Sequence, residues 1–553
     1  MLLEIAVLAA SIQGASATFD EYAHLAAGIA YWSDAAWSIH NLSPPLARLW
    51  AAAPAYLAGA NAPPTAPFLA MDPSARHWAY GEAFLRMNFD RYADLVVLGR
   101  LAMIPIACIG LWLTIRWAAS LYGPRAGLGA GALFVLSPNI AGHFGLVSTD
   151  AFATVGLLAA SWAWWRACLR PTPGRVALTG LLTGLAHLIK HTALLLWPIF
   201  VLTAAITRAG RSKGRSVALA LMPVLALALA LFGGLYKFEG AGRSLESYAF
   251  RSDAMQRVQR ALPNWLPVPV PEQAVIGFDV QKFEADMPGR SYLLGTVYEG
   301  SRAGYYPLAL ASKTPLSTLL LLVLALATAA LPTIRGPSTR TGARTAAAAA
   351  GVLTLGMVGL SSLNIGVRYL LPALPFAFIL ASRVFALERA RLAGAVLLAL
   401  LAFEHASVAP RYLGFINQAA GGPAAGPGLF RDSNVDWGQG LHDLRDWMHD
   451  EGVEHVQLAY FGSVDPGVYG ISYTPLILET AGPVVPTEAE YVVVSSFFAA
   501  GLTQRMPTPS GRTGHLRLDF HEHLAKRQPA HVVADTMLVY RRQDVLAAWS
   551  DSQ

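Results

Sequence analysis

Long apolar runs separated by short cationic connectors set the pattern of this 553-residue chain. "VALALMPVLALALALFGGLY" (217–236), "LSTLLLLVLALATAALP" (316–332) and "AGAVLLALLAFEHASVA" (393–409) are near or above the length that crosses a hydrocarbon core of roughly 30 Å as a helix. The opening "MLLEIAVLAASIQGASATF" lacks the basic flank of a signal peptide and reads as a retained first span. Five connectors carry Arg116 and Arg125; Arg166, Arg170 and Arg175; Arg208, Arg211, Lys213 and Arg215; Arg335, Arg340 and Arg344; and Arg383, Arg389 and Arg391. Glu388 is the single acid among them, so the positive-inside rule makes these connectors cytoplasmic. About eleven spans follow, near 2–18, 95–115, 126–142, 150–166, 176–190, 192–207, 216–236, 314–333, 346–361, 370–386 and 392–408.

With the N-terminus inside, an odd count leaves 19–94, 237–313 and 409–553 on the outer side. Beyond the Gly/Ala/Pro-rich linker "NQAAGGPAAGPGLF" the pattern changes. "WGQGLHDLRDWMHDEG" has amphipathic helical spacing through Leu441, Leu444, Trp447 and Met448, and "HVQLAYFG", "YVVVSSFFAAG" and "HVVADTMLVYRR" are short β-rich runs. The expected fold class is therefore an α-helical polytopic membrane protein with a C-terminal extracytoplasmic α/β domain. Its boundaries would be 1–408 for the membrane domain, with outer loops 19–94 and 237–313, and 409–553 for the domain outside. Trp37, Trp50 and Trp78 in the first outer loop read as anchors at headgroup depth.

Composition agrees: 54% of residues are hydrophobic and 14% charged, which disfavours a soluble multidomain enzyme. The net charge of +6 reflects orientation, and no aromatic-interleaved basic patch supports nucleic-acid binding. Cys108 and Cys168 both fall in apolar stretches and form no disulfide framework.

Ionisable residues at the span boundaries collect on one face. Asp20 and Glu21 follow the first span, Asp150 opens the fourth, Lys190 and His191 lie between the fifth and sixth, and Arg368 opens the tenth. Scattered anchors would divide between the faces, so this grouping points to a common outward-facing site. Cations can neutralise a lipid-borne phosphate, and a carboxylate can take the proton of an acceptor hydroxyl as a general base. His24, one turn beyond the acids, reads as packing.

"FDEYAHL", "SPPLARL", "VSTDAF", "GLAHLIKHTALLLWP" and "NIGVRYLLPALPF", in that order, resemble bacterial polyprenyl-phosphate-dependent glycosyltransferases of the GT-C fold, which include protein O-mannosyltransferases and aminoarabinose transferases. "GRSYLLGTVYEGSRAGYYPLALASKTPL" and "RDSNVDWGQGLHDLRDWM" resemble a bacterial subgroup with an appended outer domain. The resemblance implies inverting transfer of a sugar from a polyprenyl-phosphate donor to a protein, lipid or glycan acceptor on the outer side of a bacterial inner membrane. By the same resemblance Asp20 is the base, Glu21 its neighbouring carboxylate, and Asp150 the second acid. Lys190, His191 and Arg368 meet the phosphate side, while Arg290, Tyr292 and Tyr305 form a lid over the donor. Lys313 reads as an interfacial anchor. Two acids do not establish a metal site, so the cofactor stays open. The chain departs from the family in having Ser43 before Pro44, where many relatives have a histidine; its nearest histidine is His40. The alternative reading is a polytopic transporter or lipid flippase, for which two related halves and midplane charges are expected.

Overall fold

The computed structural model describes residues 1–208, 214–287, 289–329, 337–360, 364–476, 489–507 and 513–552. Arg211, Lys213, Arg335 and the ends of the spans expected at 314–333 and 346–361 lie outside the described residues. Each of the expected spans falls on helix, but the helices are not all simple rods. Among the described residues two helical stretches, Phe89–Tyr122 and Val367–Ala386, are long and apolar enough to cross a membrane. A third candidate, Tyr305–Lys313 with Leu316–Ala327, is bent by 104°. Pro315 causes that break, since proline cannot continue the hydrogen-bond ladder. Glu404, from helix Arg391–Ala406, accepts from the backbone N–H of Leu316 (2.9 Å) and Ser317 (3.3 Å) and so satisfies the new helix start. The stretch expected at 126–142 is likewise split, into Pro124–Val135 and Pro138–His143.

The outward surface of these helices is apolar: Leu128, Leu326, Leu355, Leu392 and Phe403 are all exposed. That is how a helix presents itself to lipid, where the backbone is satisfied internally and the side chains need no water. Inside, close approach depends on small residues. A Cβ on Gly28 would lie 2.4 Å from the Arg48 carbonyl oxygen, so glycine lets helix Glu21–Asp34 pack directly on Leu46–Leu57.

Two buried cations hold the loops between the helices in place. Arg48 donates to Ser43 Oγ at 2.7 Å, to the carbonyls of His40 (3.0 Å), Ser43 and Pro44 (3.2 Å), and to Tyr31 Oη at 3.1 Å. It thereby fixes the turn before the paired prolines. Lys313, expected at the interface, is instead fully buried; its Nζ donates to the Leu413 carbonyl at 2.6 Å and to the Asn434 carbonyl, tying the broken helix to the C-terminal segment.

The expected helix of the C-terminal segment forms at Leu441–Asp450 with Leu441, Leu444 and Met448 buried. The β-rich runs assemble into a five-stranded sheet in the order Tyr473–Pro475, Val456–Ala459, Tyr491–Ser495, Met537–Arg541, His531–Val533. The first three strands are parallel, and the last two join antiparallel. Val493 packs with Leu441 and Leu444 on one face, while Val492 and Val494 pack with Val545 and Ala548 on the other, the period-2 alternation of a sheet covered on both sides.

Glu21 is not where the resemblance implies. Its carboxylate is completely buried and clasped by Arg100, Nε to Oε1 at 2.8 Å and Nη2 to Oε2 at 2.6 Å. It also accepts from the backbone N–H of Thr18 and Val147, each at 2.8 Å. Arg100 spends its remaining donors on the carbonyls of Ile12, Ala15 and Ser16. The pair thus welds the end of the first helix to Phe89–Tyr122 and to the loop before Asp150. Burial alone would raise the Glu21 pKa, but Arg100 and the two amides outweigh it and hold the group below its ordinary value.

A depressed carboxylate pKa contributes stability that is full above the unfolded value of about 4.3 and is lost as pH falls through the folded value. Glu21→Gln or Arg100→Met is expected to lower stability by about 3–5 kcal/mol at pH 7, because each leaves the other charge buried and unpaired. Thermal unfolding of detergent-purified protein from pH 7 down to about pH 2, below the folded value, checks both the loss and its shrinkage in acid.

Candidate active site

Asp20 is the residue before helix Glu21–Asp34, Lys190 is an extended residue between Pro173–His187 and the short turn His191–Leu195, and Arg368 lies in the 3-10 turn Val367–Ala373. Far apart in sequence, the three line one cavity of about 1060 Å³. Arg368 Nη1 donates to Asp20 Oδ2 at 2.6 Å and stands 3.9 Å from Asp150 Oδ2. Lys190 Nζ meets Asp150 Oδ1 at 2.6 Å. The result is a chain of alternating charge, Asp20, Arg368, Asp150, Lys190, in which each cation shares a carboxylate with the other. The Arg368 guanidinium also lies 4.4 Å from the Trp437 ring centroid, and Lys190 Nζ lies 5.2 Å from that of Tyr369.

Asp150 has a different place from the one expected. It opens helix Asp150–Leu169, where the helix dipole favours an acid, but its side chain is only 4% exposed and it does not line the cavity, whereas its neighbour Thr149 does. Asp150 stands behind the two cations and positions them. Glu21, turned into its pair with Arg100, is also off the cavity wall. His191 is on it, edge-on to Phe278 at 5.2 Å.

The three residues expected as a lid do not line the cavity. Arg290 is exposed at the start of the hairpin Arg290–Leu293/Thr296–Glu299. Tyr292 is buried in a core shared with the C-terminal sheet, under the guanidinium of Arg431 at 4.2 Å. Tyr305 is buried against Phe430, its hydroxyl accepting from Asn434 Nδ2 at 2.9 Å. Aromatic character drew both tyrosines into cores, and only the tertiary packing distinguishes that from a lid.

Other residues complete the cavity wall. His24 and Trp78, expected at packing and interfacial positions, line it, as do His40 and His77. The C-terminal segment adds Asp432, Trp437, Phe461 and Phe497. The signal for Asp432 was the polar run "DSNVDWGQGL", which reads locally as a loop before a helix. Asp432 has a left-handed backbone (φ 61°) pinned by its neighbours: Ser433 Oγ donates to the Ile365 carbonyl, and Asn434 Oδ1 accepts from the Val367 N–H at 2.8 Å. Burial, only partly offset by Arg368, pushes Asp432 up to about 6.

A second cavity, about 460 Å³ and almost wholly apolar, is lined by Leu225, Leu229, Phe232, Val258, Leu262 and Val270 among others. It shares His191, Leu194 and Phe278 with the first. Among the described residues no group of three or more His, Cys, Asp or Glu side chains is arranged to hold a metal ion.

Residues 89–234 match the family described as dolichyl-phosphate-mannose-protein mannosyltransferase. The matched stretch contains Arg100, Asp150, Lys190 and His191. No curated protein matches in sequence. Among solved structures the chain is similar to ArnT from Cupriavidus metallidurans bound to undecaprenyl phosphate, at 15% identity and a TM-score of 0.46, over 74% of this chain and 64% of that one. It is also similar to the Archaeoglobus fulgidus oligosaccharyltransferase in its apo form, at 11% identity and a TM-score of 0.45, over 93% of this chain and 74% of that one.

A carboxyl whose folded pKa is raised to about 6 favours the folded state in acid and loses that contribution as pH rises through 6. Asp432→Asn, which removes the buried charge, is therefore expected to raise the unfolding temperature at pH 8 and to leave it unchanged at pH 4. Differential scanning fluorimetry across that range tests it.

Proposed function

We propose that the chain is a membrane glycosyltransferase that moves a sugar, with inversion, from a polyprenyl phosphate to a hydroxyl-bearing acceptor at the outer face of a bacterial inner membrane. The observation that carries this reading is the junction of two cavities: one holds Asp20, Lys190 and Arg368, and the apolar one opens beside His191. A lipid phosphate has the matching shape, with an anion for the cations and an isoprenoid chain for the apolar channel. The match to the mannosyltransferase family supports the same class.

The chemistry follows from the charges. The donor phosphate binds Lys190 and Arg368, and Arg368 supplies a fork suited to two phosphate oxygens. In doing so it competes with Asp20 for the guanidinium and releases the carboxylate. The acceptor oxygen attacks the anomeric carbon from the face opposite the phosphate. As that C–O bond forms, the hydroxyl proton passes to Asp20 and the bond to the phosphate oxygen breaks. The lipid phosphate leaves as an anion, so it needs charge stabilisation and no proton. Asp150 takes no part in proton transfer; it keeps the two cations within reach of one phosphate. Residues 1–408 form the membrane unit in this reading, and 409–553 lie outside the membrane.

Asp20→Asn is expected to cut transfer by about 10²–10⁴, the usual worth of a general base, while undecaprenyl phosphate binding holds or tightens because a competing carboxylate is gone. Lys190→Ala and Arg368→Ala are expected to weaken that binding about tenfold or more. Mass spectrometry of envelope lipids, glycans and glycoproteins from cells with and without the protein reads the transfer. Normal sugar transfer by well-folded Asp20→Asn protein, or accumulation of an untransported lipid in the deletion, would overturn the assignment.

A further inference from the structure

A continuous arc of rings runs around the cavity wall and flanks Asp20 on both sides. It begins one turn beyond Asp20 with His24, whose ring centroid is 5.2 Å from that of His40. His40 lies 4.5 Å from His77, and His77 4.8 Å from Trp78. Trp78 meets Phe19, the residue just before Asp20, at 4.9 Å. Phe19 stacks on Phe461 at 5.5 Å, and Phe461 on Phe497 at 4.0 Å. Every member lines the cavity, the last two being supplied by the C-terminal segment.

The imidazoles at one end have spare hydrogen-bonding capacity. His40 and His77 are 6% and 3% exposed and lean on backbone carbonyls, His40 on its own and His77 on that of Pro73, while Nδ1 of His24 is buried with no hydrogen-bond partner. Such an orphaned group costs free energy unless a ligand or water meets it. No metal explains it, since the trio is not arranged as a metal-holding group. The three rings also carry no charge at neutral pH. Burial, then Arg48, push His24 down to about 3 and His40 well below the ordinary imidazole value, and burial with His24 and Arg48 pushes His77 down to about 3. A neutral imidazole offers one donor and one acceptor, which matches a hydroxyl and gives no charge to attract an anion. The aromatic rings at the other end offer flat apolar faces for the C–H face of a sugar ring.

We propose that this arc is the acceptor subsite and that its ligand is a neutral saccharide, held by its hydroxyls against the imidazoles and by its ring against Trp78 and the phenylalanines, with one hydroxyl turned to Asp20. The proposal rests on the glycosyltransferase reading and narrows it: the acceptor atom is a sugar hydroxyl. It also gives the C-terminal segment a part in acceptor choice through Phe461 and Phe497.

The test uses the full chain in lipid nanodiscs loaded with undecaprenyl phosphate. Saturation-transfer NMR compares a panel of neutral oligosaccharides, the corresponding sugar phosphates and uncharged serine/threonine peptides. At least one neutral saccharide is expected to bind saturably and in preference to the other two classes. His77→Phe, which keeps the ring and removes the hydrogen bonds, and Trp78→Leu are each expected to weaken it about tenfold. Undecaprenyl phosphate affinity, measured on the same preparations, is expected to be unchanged, which also shows that the variants are folded. Preference for peptides or sugar phosphates, no saturable saccharide binding, or saccharide binding that ignores both variants would each overturn the proposal. Wild-type protein that fails to bind undecaprenyl phosphate would sink the glycosyltransferase reading itself, whereas lipid-phosphate binding without saccharide binding sinks only the acceptor subsite.

Discussion

Charge compensation out of water is the constraint on which this structure turns. An isolated ionised side chain in a low-dielectric interior costs several kcal/mol or more, so buried charges persist only in pairs with their hydrogen bonds filled. Asp20, Arg368, Asp150 and Lys190 meet the charge side of that requirement as one alternating series, with Arg368 Nε left without a hydrogen bond. Because the four come from four separate stretches of chain, the series also fixes how those stretches converge. Glu21 and Arg100 solve the same problem one residue away with a closed pair, and the contrast separates two adjacent acids. One carboxylate is saturated by a guanidinium and backbone amides; the other shares its guanidinium with a cavity.

The C-terminal segment is joined to the helices through hydrogen bonds made by polar groups that have left water. Lys313 reaches the carbonyls of Leu413 and Asn434, while Asn434 bonds Tyr305 and the backbone just before Arg368. The same turn presents Asp432 to the cavity, and Trp437 lies against Arg368. The wall of the site therefore draws on chain segments on both sides of the Gly/Ala/Pro-rich stretch 417–430, and the Arg368 guanidinium lies against a tryptophan nearly seventy residues away.

Much of this was legible in the sequence. Apolar run length and the cation bias of the connectors located the helices, since hydrocarbon thickness and backbone satisfaction leave few options. Amphipathic and alternating patterns located the helix and strands after residue 440, because those periods follow from backbone geometry. Collecting boundary charges on one face grouped Asp20, Lys190, His191 and Arg368, which line one cavity in the folded chain, although nothing local to any of them says that they meet.

What the sequence could not decide was direction. Asp20 and Glu21 are neighbours of the same chemical type, and a helix start turns one toward the cavity and the other toward Arg100, a partner about eighty residues on. Asp150 reads as a site acid and sits behind the cations; Tyr292 and Tyr305 read as a lid and fill cores. His40, His77 and Asp432 look like loop residues until packing turns their side chains to one wall. Composition and periodicity determined that this chain has apolar helices, a helix with short strands after residue 440, and ionisable residues at its helix boundaries. Which member of each polar pair is buried in a closed contact, and which is left facing a ligand, is set by long-range packing and ion pairing, and those exist only in the folded structure.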